Sequence, residues 1–363
     1  QALPMKISQI LLWSFCVTAW NLGGLQAQTA DSTQAPGATD DEDFSMYDEV
    51  GFADQSARRY CSPKIEGLSP AKLISIGYDF QAGYGLGAGA FQSIGGQNWG
   101  EDSARVLNSR GIRLGFNIPV ISRTNLVWQM GANYWGSNFN FEKTASSQFA
   151  TYLNNHTMTS AGLNTTIFKP LNEKNFLIIQ ASADANGLFH NMSAINKDAL
   201  TLSGTFIYGW KKSEKNMIGT GIARTYRAGQ LIHVPILFWN KTFNDKWGME
   251  LLLPARGFMR YNFSTFNMLQ AGFELEGNQF WMPSTNRIEN GAVFIQRGEF
   301  KPKVMWDKKL SGFVWFHAEA GMRYNWRFEV MNVYNGKKEA QRYFESRLGN
   351  PLYFNIGFNF VSP

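Results

Sequence analysis

Four histidines could serve acid–base chemistry: His156, His190, His233 and His317. A membrane-embedded acyl hydrolase would set a serine two residues from a histidine on one strand, with an Asn or Asp orienting the ring. Here the residues two positions on are Met158, Met192, Pro235 and Glu319, and none is a nucleophile. Asp184 and His190 come nearest to an acid–histidine pair for activating water, but such chemistry needs several acidic groups around one histidine. Metal ligation would need a His/Cys cluster, and Cys16 and Cys61 do not supply one. Gly85, Gly87 and Gly89 have the spacing of a nucleotide-binding loop, yet they alternate with Leu86 and Ala88 and open no helix. The net charge of +6 is scattered along the chain and is no nucleic-acid signal. The expectation is a chain that is not an enzyme and carries no cofactor, no metal and no nucleic acid.

What remains is a set of charges at alternate positions of long apolar segments. If the even positions of 312–328 face lipid, then His317, Glu319, Arg323, Asn325 and Arg327 face the other way. In 292–306 that inner set is Arg297, Glu299, Lys301 and Lys303, and in 268–276 it includes Gln270, Glu274 and Glu276. Asp79, Arg113, Asp184 and Glu250 join them from other segments. Charges of both signs in an interior need partners or water. One reading is a salt-bridged interior that holds a barrel in shape. The other is a selectivity lining in which Arg297, Lys301, Lys303, Arg323 and Arg327 favour anions.

The elements that must position these charges have period two, which means strands. From Ile74 to Ala90 the even positions are apolar or aromatic, including Ile76, Tyr78, Phe80, Tyr84 and Leu86, against Ser75, Gly77, Asp79, Gln81 and glycines. Val314 to Phe328 keeps Val314, Phe316, Tyr324, Trp326 and Phe328 on one side. Both runs exceed the roughly 9–11 residues of a transmembrane strand. In the last segment Leu352, Phe354, Ile356, Phe358 and Phe360 alternate with Tyr353, Asn355, Gly357 and Asn359. It is expected to be the barrel-closing strand, paired with the segment at Ile74.

Longer gaps near 91–104, 143–156, 189–197, 277–288 and 330–349 alternate with short joints such as 122–124, 171–174, 211–215 and 244–246. That rhythm suits extracellular loops and periplasmic turns. The expected fold is all-β, an antiparallel transmembrane β-barrel of about 12–14 strands over 71–363, its count turning on Pro254 to Thr265. A soluble sandwich or jelly roll would have shorter strands. Mean hydropathy of -0.26 suits a soluble chain, but strand alternation averages to such a value. Beyond the N-terminus no apolar run is long enough for a transmembrane helix.

Residues 1–27 read as a signal peptide, with 1–4 an upstream scar before Met5. Lys6, the apolar run Ile10 to Trp20 and a small-residue site ending at Ala27 give the order charge, apolar core, cleavage. Residues 28–70 read as a disordered acidic arm, since 28–57 hold eight acidic residues and no Lys or Arg. The arm could be a spacer, fold into a basic lumen or dock a periplasmic partner. Cys61 is the one cysteine beyond the signal peptide, so no internal disulfide is expected.

The stretches SPAKLISIGYDFQ at Ser69 to Gln81, WGMELLLPA at Trp247 to Ala255 and HAEAGMRYNWRFEV at His317 to Val330 carry a resemblance, together with the aromatic final strand. The chain resembles an uncharacterised family of outer-membrane β-barrels of Bacteroidetes over residues 69–361. The resemblance implies fold and location in the bacterial outer membrane, and brings no activity or site residues. The functional expectation is a passive, porin-like channel or transporter for small polar or anionic solutes. The alternative is a non-conducting structural barrel that binds another cell-envelope protein. Either would contact outer-membrane lipid, and the insertion machinery during assembly.

Overall fold

The computed structural model describes residues 60–90, 102–142, 148–189, 197–227, 230–282, 293–331 and 342–361. Residues 1–27, read from the sequence as a signal peptide, and 28–59, read as part of an acidic arm, lie outside the described residues. The strands are β1 (Lys72–Gln81), β2 (Tyr84–Ala90), β3 (Asp102–Arg123), β4 (Leu126–Phe141), β5 (Thr157–Pro170), β6 (Asn175–Phe189), β7 (Leu200–Ser213), β8 (Asn216–Arg227) and β9 (Gln230–Thr242). They continue as β10 (Trp247–Leu253), β11 (Arg256–Ser264), β12 (Asn267–Met282), β13 (Val293–Ser311), β14 (Val314–Met322), β15 (Tyr324–Met331), β16 (Arg342–Leu348) and β17 (Leu352–Val361). One helix, α1 (Gln148–Asn155), lies between β4 and β5.

Each strand pairs antiparallel with its neighbours, and β1 with β2, β14 with β15 and β16 with β17 form three broken staves. The result is a closed barrel of 14 staves. It closes where β17 meets β1, with Phe354 opposite Phe80, Phe358 opposite Ile76 and Phe360 opposite Ile74. The uncertain region around Pro254 becomes the short β10–β11 hairpin.

Alternation places the apolar residues outside. Ile76, Ile112, Ile118, Leu163, Ile222 and Ile356 are all exposed in the isolated chain, as a lipid-facing belt requires. At the short-turn end Phe243, Trp247, Phe263, Phe266 and Phe313 are exposed together, an aromatic girdle. Edge-to-face contacts link Trp247 to Tyr261 and Tyr261 to Phe263, each with centroids 4.9 Å apart.

Two long segments do not keep one face to lipid along their length, contrary to their sequence pattern. In the first, Ile76 and Tyr78 are exposed but Tyr84 and Leu86 are buried in the interior. The face switches at the Ala82–Gly83 break between β1 and β2. A side chain at Gly83 would meet the carbonyl oxygens of Val106 and Leu107 at 3.0 and 2.9 Å, so a glycine fits the close approach there. In the second, Tyr324 and Trp326 are exposed but Phe328 is buried. The register slips between Gly298 and Glu299, so that Glu299 faces Asn325 while Gly298 faces Arg327. Phe328 thereby shares a face with Arg297, and Arg327 points to the opposite one. Arg327, expected in the lumen, pairs there with Glu329 at 2.7 Å.

Beyond these switches the barrel interior becomes apolar. Leu86, Val106, Phe139, Met158, Leu188 and Phe280 form one buried cluster with residues of β13, β15 and β16. Into it α1 inserts Phe149, Ala150 and Leu153, all essentially inaccessible. Nothing in the strand pattern signals this helix, which lies in the 143–156 gap read as an extracellular loop. At the same end β6 and β12 touch across the barrel in a single parallel pair, Gly187 with Trp281, and draw the taller staves together.

Candidate functional site: the barrel interior

Below the apolar cap, the inner face of β1, β3, β12–β14 and β17 carries a ladder of charges. The Glu299 carboxylate accepts from Arg297 and, at 3.1 Å, from Arg323. Lys301 donates to Glu276 and lies 3.6 Å from Glu274. Lys303 donates to Glu274 at 2.7 Å and reaches both Glu319 oxygens at 3.3 Å. Tyr353 donates to one of those two oxygens at 2.6 Å. Asp79 accepts from Arg113 at 3.3 Å, from the Trp135 indole at 3.1 Å and from Asn355 at 2.6 Å. Towards the short-turn end Asp307 takes Lys72 at 3.2 Å, His317 at 2.9 Å and Asn359 at 3.2 Å. Unlike charges stacked across neighbouring strands offset one another, so a buried ladder can be kept without net charge.

The opposite wall, β4–β7, is lined by small side chains that are uncharged apart from Asp184. Its inner face presents Asn164, Thr166, Gln180, Ser203 and Thr205, with Ser182 hydrogen-bonded to Ser203 at 2.7 Å and to Asp184 at 2.8 Å. Asp184 also accepts from Asn133 at 3.3 Å, so it belongs to this wall rather than to the ladder. Between the walls the side chains of Arg113, Glu276 and Glu274 are still 37%, 32% and 26% exposed, which marks a wetted space between otherwise buried layers.

The short-turn end is crossed by residues 60–70, which the sequence placed in the acidic arm. They are packed, not loose. Cys61 and Ile65 are buried against Phe168, Phe176 and Met217, with Leu68 alongside. This strap is tied to wall after wall. The Cys61 amide donates to the Asn172 carbonyl at 3.0 Å and the Glu66 amide to the Glu214 carbonyl at 2.8 Å. Thr242 donates to the Glu66 carbonyl at 2.6 Å, and Lys211 donates to Ser62 and, at 3.1 Å, to the Lys64 carbonyl. At its end Glu250, braced by Arg260 at 2.9 Å, accepts from both the amide and the hydroxyl of Ser69 at 3.1 and 2.7 Å. The signal for the strap was present: Cys61, Ile65 and Leu68 fall just after the acidic run ends.

Burial pushes the Cys61 thiol above its ordinary value, against the pull of the Lys211 ammonium. A raised pKa leaves little thiolate near neutral pH. Maleimide labelling of the folded protein is therefore expected to be slow at about pH 7 and to rise only at more alkaline pH. Labelling as fast as that of the unfolded chain would mean that the strap does not cover the thiol.

Several interior residues were not singled out from the sequence. Asp307 shares the parity of Lys301 and Lys303 but lies one residue past the expected end of its strand. Arg260 lies on β11, in the segment left unassigned. Trp135 lies on the inner face of β4, where its indole reaches Asp79.

No described helix is long and apolar enough to cross a membrane. A closed antiparallel barrel with a lipid-facing belt and a polar bore is an outer-membrane β-barrel. Residues 80–361 match the family model described as a domain of unknown function, DUF6268, and the chain belongs to that family. No curated protein sequence matches the chain. Among solved structures it is similar to the COG4313 outer membrane channel from Pseudomonas putida F1, at 10% identity and TM-score 0.36, covering 81% of this chain and 98% of that one. A Pseudomonas aeruginosa FadL homologue is similar at 10% identity and TM-score 0.37, covering 80% and 90%. A weaker likeness is to the Escherichia coli outer membrane protease OmpT, at 9% identity and TM-score 0.27, covering 82% and 99%.

Proposed function

We propose that this barrel is an outer-membrane channel for small polar solutes, held closed by the strap at the short-turn, periplasmic end and by the α1 layer at the other. The observation that carries the reading is the wetted, charged bore lying between two segments that are not part of the wall. A purely structural barrel would have no use for Arg113, Glu274 and Glu276 half-open to an internal space. The ladder cations are matched by Asp79, Glu250, Glu274, Glu276, Glu299 and Glu319, so bulk selectivity between small cations and anions should be weak.

Planar-bilayer recording tests the proposal. The intact protein is expected to open rarely. Ile65→Asp with Leu68→Asp places two charges against Phe168 and Phe176, which costs several kcal/mol unless the strap leaves its seat. That variant is expected to give frequent ohmic steps, with a reversal potential near zero in a salt gradient. Silence from a variant that is still folded and heat-modifiable would sink the channel reading.

A further inference from the structure

Between the charged ladder and the apolar cap lies a cavity of about 190 Å³. Its polar side is Arg113, Glu276, Arg297 and Glu299, with the neutral groups Asn133, Ser160 and Asn278, and its apolar side is Trp135 and Phe280. The two rings sit 6.2 Å apart at the edge of the apolar cluster.

Hydrogen-bonding capacity around this cavity is uneven. Both oxygens of Glu299 are engaged, one by Arg297 and one by Arg323, and Glu276 accepts from Lys301. The guanidiniums are not so fully used. Arg297 is 4% exposed and lies over the Trp135 ring at 5.8 Å, and its one hydrogen bond besides that to Glu299 goes to the Met158 sulfur at 3.6 Å, a weak acceptor. Its Nε has no partner, nor does the Nε of Arg113, whose single acceptor is Asp79 at 3.3 Å. A guanidinium has five donors in a planar fork, and a buried donor left without an acceptor is unfavourable. The Arg113 side chain is 37% exposed and has one acceptor, so its terminal N–H groups stay open towards the cavity, between the Glu276 carboxylate and the aromatic wall.

We infer that this cavity is a binding site for a small organic carboxylate with an apolar body, the carboxylate on Arg113 and Arg297 and the body against Trp135 and Phe280. Volume sets the size. A cavity of about 150 Å³ takes benzene. This one holds a ring of that size with a carboxylate attached. Arg–carboxylate pairs are the strongest planar match for such donors. The inference rests on the channel reading and gives it a substrate class.

Calorimetric titration of the full chain in detergent tests it, with benzoate, benzamide and acetate as probes. Benzoate is expected to bind, benzamide at least about tenfold more weakly because it brings no charge to the guanidiniums, and acetate not measurably because it leaves the rings uncovered. Arg113→Gln, at a partly exposed position, should weaken benzoate about tenfold and benzamide by clearly less, since only the carboxylate loses a charge partner. Trp135→Leu should weaken both. If Arg297→Lys is stably folded by its heat-modifiable mobility, it should bind less well than the parent, since one ammonium cannot replace the fork. Equal binding of benzoate and benzamide, or no binding of either, overturns the assignment. Ohmic conductance in the strap variant without benzoate binding would remove this site and keep the channel. Benzoate binding with a silent strap variant would keep the site and remove the channel.

Discussion

Glu299→Ala is expected to destabilise the barrel by about 3–5 kcal/mol, because it strands two buried guanidiniums at once. Arg297 and Arg323 are 4% and 1% exposed, and Glu299 holds one with each carboxylate oxygen. Arg323 has no access to water at that depth, and Arg297 only the little that the cavity beside it offers. Arg323 keeps the face of Tyr353, 4.9 Å away, and Arg297 the face of Trp135 at 5.8 Å and the weakly accepting Met158 sulfur. Glu276→Ala makes the control. Its side chain is 32% exposed, and Lys301 retains Glu274 at 3.6 Å, so the loss should be less than about half as large. Equilibrium unfolding by urea in lipid vesicles, with the two variants side by side, reads the difference. Similar losses would mean that the ladder is solvated throughout and that burial is not what makes Glu299 matter.

Phe206→Arg should abolish assembly where Thr205→Arg is tolerated, although the two positions are adjacent. Phe206 is 46% exposed on the lipid face of β7, while Thr205 lines the β4–β7 wall with Ser203 and Gln180. An arginine facing lipid near the membrane middle costs about 2–4 kcal/mol in a barrel of this kind, and one in a wetted bore costs little. Cell fractionation with heat-modifiability of the membrane-bound product distinguishes them. Equal yields would show that the side-chain alternation of β7 has been read in the wrong phase.

The strand pattern made the barrel legible, because alternation is a property of each segment taken alone. Ile74 to Phe80 and Leu352 to Phe360 could be read as opposite edges before any pairing was known. The reading failed where the barrel changes its filling. Tyr84, Leu86 and Phe328 look like lipid-facing residues in sequence, and they are apolar for a different reason: they face the α1 cap. Period two carries no phase across a bulge, so Arg327 was put on the wrong side by a slip of one residue. Ionic partners were beyond reach for another reason. Which carboxylate meets Lys303 depends on the register of β13 against β12 and β14, and composition does not encode register. The strap escaped notice because its three apolar residues follow a long acidic run and are few enough to suit a linker.

The strap also bears on the order in which the barrel is made. Its partners Asn172, Glu214, Thr242 and Glu250 all come from the contiguous block β5–β11, and none from β17. It can therefore seat on a half-built sheet, before the last strand has arrived. Once seated, it fixes the start of β1, the edge that β17 must find. The Asp79–Asn355 contact joins residues 276 positions apart, a loop whose closure is entropically costly in a free chain. A strap docked early divides that loop and pre-positions one edge, so the final zippering of β1 to β17 begins from a shorter search.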